Sequence, residues 1–157
     1  MRGISVNSWK SVIRCGALAG VLLLCSTVAQ AVLVVGAPWV RTTPERTATD
    51  AYMVLTSTEG ALLKGARSIV ATTVVIRGAT GVKNYPQLAL PAGVPVALAP
   101  ETFHLVLRGL AHPLNPGDRV PLVLTIETAT GARQEISVNA EVRARPPAED
   151  ERRAPKR

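Results

Sequence analysis

The chain has 157 residues, of which 18 are Lys or Arg and 11 are Asp or Glu; 47% are apolar, 3% aromatic and two are cysteine. That length sets one domain as the expectation, the apolar fraction excludes a disordered chain, and two cysteines exclude both a disulfide-stapled miniprotein and a four-thiolate zinc finger. The net charge of +7 would suggest nucleic acid or an anionic membrane as partner, provided the charge sits on the folded body.

Residues 1–31 read as a secretory signal peptide. Arg2, Lys10 and Arg14 form a positive n-region with no acid among them, and Cys15 to Val28 is almost wholly apolar around Leu22-Leu23-Leu24. Ala29-Gln30-Ala31 then supplies a small-x-small cleavage site. The rival is an uncleaved anchor, because no charge falls between Arg14 and Arg41. Ser26, Thr27 and Gln30 within the run, and Gly36 and Pro38 beyond it, count against that rival. A lipoprotein is a third option: Leu22-Leu23-Leu24-Cys25 has the outline of a lipobox, but Leu24 stands where a small residue is usual. Both cysteines lie in this segment, so a mature chain from Val32 has no disulfide, thiolate ligand or cysteine nucleophile.

From Val32 onward the chain reads as short strands parted by turn residues. Val32–Val35, Tyr52–Thr56, Leu62–Ser68, Thr73–Arg77 and Val94–Leu98 are the first candidates. Phe103, Leu105 and Leu107 then alternate with His104, Val106 and Arg108, and Asn115-Pro116-Gly117-Asp118 is a strong turn signal after them. Leu122, Leu124 and Ile126 alternate with Val123, Thr125 and Glu127. A turn through Thr130-Gly131 leads into Ile136, Val138, Ala140 and Val142 on one face, with Glu135, Ser137, Asn139 and Glu141 on the other. This is the period of two expected of half-buried strands. No segment carries a sustained helical stripe. Some eight or nine strands, spaced about ten residues apart, predict an all-β, two-sheet sandwich.

The charge does not belong to that body. Removing Arg2, Lys10 and Arg14 leaves 15 basic residues, and the segment 143–157 holds six of them with three acids. The domain 32–142 therefore has nine basic and eight acidic residues, which gives no electrostatic footprint for nucleic acid. The segment 143–157, with Pro146-Pro147, Glu149-Asp150-Glu151 and Arg152-Arg153, is expected to be a disordered charged tail. No membrane span is expected in the mature chain.

Catalytic motifs are lacking. The sequence contains no Gly-rich phosphate loop, no Gly-x-Ser-x-Gly and no His-Glu-x-x-His, and its acids show no paired spacing, so an enzyme is not expected. Its two histidines, His104 and His112, are eight residues apart, up to about 26 Å in extended chain, so one straight strand could not bring both to a metal. His104 lies on the face opposite Phe103 and Leu105 and should project away from the core, with Val106 on the same face.

The stretch from about Gly36 to Val142 resembles the periplasmic copper chaperone family PCu(A)C. The resemblance rests on Trp39-Val40-Arg41, Ala51-Tyr52-Met53, Leu90-Pro91-Ala92-Gly93, Phe103-His104-Leu105, Gly109-Leu110, Pro113-Leu114, Gly117-Asp118 and Val120-Pro121-Leu122, in that order and spacing. It implies a cupredoxin-like Greek-key β-sandwich in the periplasm. It also implies Cu(I) binding by an exposed His/Met cluster and delivery towards cytochrome oxidase through an envelope copper-acceptor protein. Thioether sulfur with imidazole suits a soft cation. His104 is the one metal ligand that the resemblance carries onto this chain. The His-x-Met position reads His104-Leu105-Val106, the strand that ends in a family histidine reads Val74-Val75-Ile76-Arg77, and the following loop to Leu88 contains no methionine. Met53, the only methionine left in the mature chain, falls at a position read as structural.

Two functions follow as expectations. One is a copper-chaperone-like protein with a depleted ligand set, its metal site completed by a partner. The other is a metal-free sandwich that binds an envelope protein or small ligand through Val106, Arg77 and Tyr85.

Overall fold

The computed structural model describes residues 32–44, 47–79, 81 and 83–147. The signal peptide and most of the tail expected above lie outside them. Ten strands follow one another: β1 (Leu33–Arg41), β2 (Ala48–Ser57), β3 (Ala61–Ser68), β4 (Ala71–Arg77), β5 (Asn84–Tyr85), β6 (Leu88–Leu90), β7 (Val96–Leu98), β8 (His104–Leu110), β9 (Arg119–Thr128) and β10 (Arg133–Arg143). Every strand foreseen from alternation is present. The two additional ones, β5 and β6, have two and three residues, too few to display a period.

The hydrogen-bonded order is β5-β4-β8-β2-β1-β10-β9-β3-β6, with β7 added to β2. All pairings are antiparallel except β1 with β10, where Trp39, Val40 and Arg41 run parallel to Glu141, Val142 and Arg143. The sheet folds over so that β3 comes to lie against β4, and its two halves share one core. Val40, Ala51, Met53, Leu55, Leu105 and Leu107 come from one layer, and Leu63, Leu122, Leu124, Ile126, Ala140 and Val142 from the other. The result is the expected all-β sandwich.

Local chemistry explains the hairpins. Gly131, at φ +82°, donates to the Thr128 carbonyl (2.9 Å), and Thr128 N–H donates to Ala132 O (2.8 Å), closing β9 onto β10. A side chain would disfavour that left-handed backbone. In the Asn115–Asp118 turn, Asp118 N–H donates to Asn115 O at 3.1 Å, while Asn115 N–H donates to the Asp118 carboxylate at 2.8 Å. The alternation in β10 holds as read: Val138, Ala140 and Val142 are buried, whereas Glu135, Ser137 and Asn139 are not.

Candidate functional site

Strand parity places the site. On β8, Leu105 and Leu107 enter the core, so His104, Val106 and Arg108 face outward. Registration does the rest. Arg77 of β4 stands opposite His104, and Val75 opposite Val106. On the other side of β8, Asp50 of β2 pairs with Val106, and Tyr52 continues that register beside His104. Trp39 of β1 pairs with Tyr52 in turn. One row across four strands therefore reads Trp39, Tyr52, His104, Arg77, and the next reads Arg41, Asp50, Val106, Val75.

This outer face is covered, contrary to the simple expectation for a lone strand histidine. His104 is only 8% exposed, Val106 and Tyr52 2% each, and Trp39 7%. None of them belongs to the central core cluster. They form a second, smaller packing unit on the opposite side of the sheet. Trp39 and Tyr52 lie with ring centroids 4.6 Å apart, Tyr52 and His104 6.2 Å apart, and the Arg41 guanidinium sits over the Tyr52 ring at 5.7 Å. His104 thus faces away from the main core, as parity requires, yet neighbours brought by β1 and β2 remove it from water.

The polar accounting of this cluster is incomplete. The Tyr52 hydroxyl donates to the Asp50 carboxylate at 3.3 Å. Burial, then the negative charge of Asp50, push the Tyr52 phenol up to about 12 against the opposing pull of Arg41. In contrast, His104 Nδ1 and Arg77 Nε are both buried without a hydrogen-bond partner. Such orphaned groups are uncommon in native proteins because each loses its hydration without replacement. They belong to directly opposed residues of one strand pair.

The other residues singled out in the sequence are dispersed. His112 is exposed beyond the end of β8, its Nδ1 3.0 Å from Pro113 O, and does not join His104. Met53 is buried in the core, opposite Leu98. Tyr85 departs from expectation. Its partner across β4–β5 is the core residue Ile76, so its ring turns inward and packs edge-on against Phe103 at 5.1 Å. Asn84 is the residue opposite Arg77. A cleft of about 380 Å³ is lined by Val74, Val75 and Ile76 of β4, Asn84 and Tyr85 of β5 and Lys64 of β3. Among the described residues no group of three or more His, Cys, Asp or Glu could hold a metal ion, and no helix is long and apolar enough to cross a membrane. Sequence reasoning missed Trp39 and Tyr52 as parts of the site. The signal available was that two of the chain's few aromatics occupy outward positions beside inward Val40 and Ala51.

Known proteins share this architecture. Residues 33–142 match the family described as "Putative lipoprotein LpqE-like". The solution structure of CuI-DR1885 from Deinococcus radiodurans is 31% identical, with a TM-score of 0.59 over 74% of this chain and 82% of that one. The copper-bound PCuAC domain from PmoF2 (22% identity, TM-score 0.62, 74% of this chain and 99% of that one) and the apo PCuAC domain from PmoF1 (18%, 0.63, 74% and 100%) share the fold. No curated protein matches the chain.

Proposed function

The chain belongs to the LpqE-like family and is of the PCuAC type, and from that premise we propose an envelope protein that keeps the copper-chaperone scaffold but works as a metal-free binding module. Its working site centres on the partly exposed Arg77, set against the buried Trp39–Tyr52–His104 cluster of the outer face. The observation that carries this reading is the buried, partnerless Arg77 Nε directly across from His104. A guanidinium is always charged and offers donors only, so it cannot ligate a cation and opposes one nearby.

The residues present do not fit a four-ligand Cu(I) site. Val106 has no donor atom, the Met53 side chain is packed into the core, and His104 alone supplies a free imidazole nitrogen. In this reading the protein is exported through its leader, is not an enzyme, and recognises another envelope protein or a small ligand. The family description makes acylation at Cys25 the alternative to cleavage after Ala31.

One observation favours a second reading. His104 Nδ1 has no protein partner, so its lone pair is available as one ligand of Cu(I) held jointly with a copper-acceptor protein. Anaerobic titration of the chain from Val32 against a chromogenic Cu(I) chelator separates the two. The metal-free reading expects the chelator to keep all the copper. Copper withdrawn by the protein, and returned by His104→Ala, would establish the second reading instead.

A further inference from the structure

Three arginines share the outer face with His104, although Arg108 lies about 13 Å away along β8. Arg77 stands opposite it, Arg108 projects from the same strand, and Arg41 stacks over Tyr52. The same rows carry one carboxylate, Asp50, which accepts the Tyr52 hydroxyl. None of the three arginines forms an ion pair among the described residues. At the centre lie the two partnerless nitrogens, Arg77 Nε and His104 Nδ1, the latter on a side chain 8% exposed. Arg Nε always bears a hydrogen, and Nδ1 bears one in one of the two neutral imidazole tautomers. An orphaned Arg77 donor and, in the Nδ1–H tautomer, an orphaned His104 donor on the directly opposed residue, on a face with more arginines than carboxylates, match a ligand that presents two oxygens and one negative charge.

We propose that the Arg77–His104 pair binds a carboxylate. The group enters beside Arg77, which remains partly exposed where β4 pairs with the short β5. One oxygen accepts Arg77 Nε–H and the other accepts His104 Nδ1–H, selecting that tautomer. The inference rests on the metal-free reading above: the charge that repels a cation at this position attracts an anion. The carboxylate comes from a small free acid or from an acidic side chain of a docking protein, and the test separates these sources.

The chain from Val32 to Arg157, labelled with ¹⁵N, is titrated with sodium acetate and, in parallel, with sodium chloride at equal ionic strength. The Arg77 Nε–H and His104 Nδ1 resonances are followed. The expected result is a saturable shift of both with acetate, absent with chloride and weakened about ten- to hundredfold in Arg77→Gln. Arg77→Lys serves as a second variant that keeps the charge but loses the fork, and it should recover only part of the affinity. An oligoglutamate peptide forms the other arm: binding at least about tenfold tighter than acetate assigns the site to a protein's acid, and equal or weaker binding assigns it to a free acid. Shifts that follow ionic strength alone, or that persist in Arg77→Gln, overturn the proposal. If they fail while the chelator still keeps its copper, the metal-free reading stands without this ligand. If copper moves to His104, the metal-free reading itself fails.

Discussion

Replacing Tyr52 with phenylalanine should change how stability depends on pH more than how stable the protein is at neutrality. Tyr52 is 2% exposed, and burial together with the charge and hydrogen bond of Asp50 raises its phenol from 10.0 to about 12 in the folded protein. In the unfolded chain the phenol ionises near 10. Between pH 10 and about 12 the folded state therefore holds the proton that the unfolded state has released, and stability falls as pH rises. The penalty on the ionised phenol is absent below pH 10, builds across this window and is complete above about 12. Two pKa units correspond to about 3 kcal/mol at 1.36 kcal/mol per unit, a large share of a typical domain's 5–15 kcal/mol. At neutrality Tyr52→Phe loses only the hydroxyl's 3.3 Å hydrogen bond to Asp50, about 1 kcal/mol. Urea unfolding of wild type and Tyr52→Phe, both in a Tyr85→Phe background so that no other tyrosine remains in the mature chain, measures the difference. The wild-type advantage should shrink and then reverse across this window. A difference that stays constant from pH 8 to 12 would refute the claim that the outer-face cluster withholds Tyr52 from water.

Four further outcomes are expected. Arg77→His with Val106→Met should create measurable Cu(I) capture that the parent lacks, at an overpacking cost of about 1–3 kcal/mol because Val106 is 2% exposed; chelator competition and thermal unfolding report the two effects. Gly109→Ala should destabilise by about 1–3 kcal/mol, since Gly109 has φ +63° and an added Cβ would lie 2.7 Å from Thr72 Oγ1. Adding Thr72→Ala should remove the Oγ1 contact but leave the Cβ at 3.0 Å and the backbone strain, so only partial recovery of the urea midpoint is expected. Leu124→Ala, at a wholly buried core position, should cost about 2–5 kcal/mol by the same measurement. Mass spectrometry of the exported protein should find an N-terminus at Val32, and a lipid-modified Cys25 would show that the leader is processed as a lipoprotein's.

The sandwich was legible because its core strands are half-buried. In β9 and β10 one face meets the core and the other meets water, so residue type alternates and the fold class follows. β5 and β6 were not legible, since two or three residues flanked by Pro86 and Pro91 contain no period. The site was legible only in part for a related reason. Period two assigns His104 to the outward face but does not say what lies over that face, and the cover comes from Trp39 and Tyr52, more than fifty residues earlier in the chain. Tyr85 shows the same limit from the other side. It follows Arg77 closely in sequence, but the Ile76–Tyr85 register turns it inward and leaves Asn84 beside the arginine.

The parallel pairing of Trp39–Arg41 with Glu141–Arg143 also governs when the molecule can form at all. The strand nearest the mature N-terminus is bonded to the last strand, and the outer-face aromatics rest on that join. Contacts so distant in sequence carry a large loop-closure cost, which favours late closure, and the β1 pairing must wait for β10. A chain cut before Glu141 would strip β1 of its β10 partner and leave it as a bare edge, open to pairing with other chains, while β9 keeps its pairing through Ala140. In the exported form proposed above, that arrangement would work as a timer, because the fold completes only once the C-terminal strand has arrived.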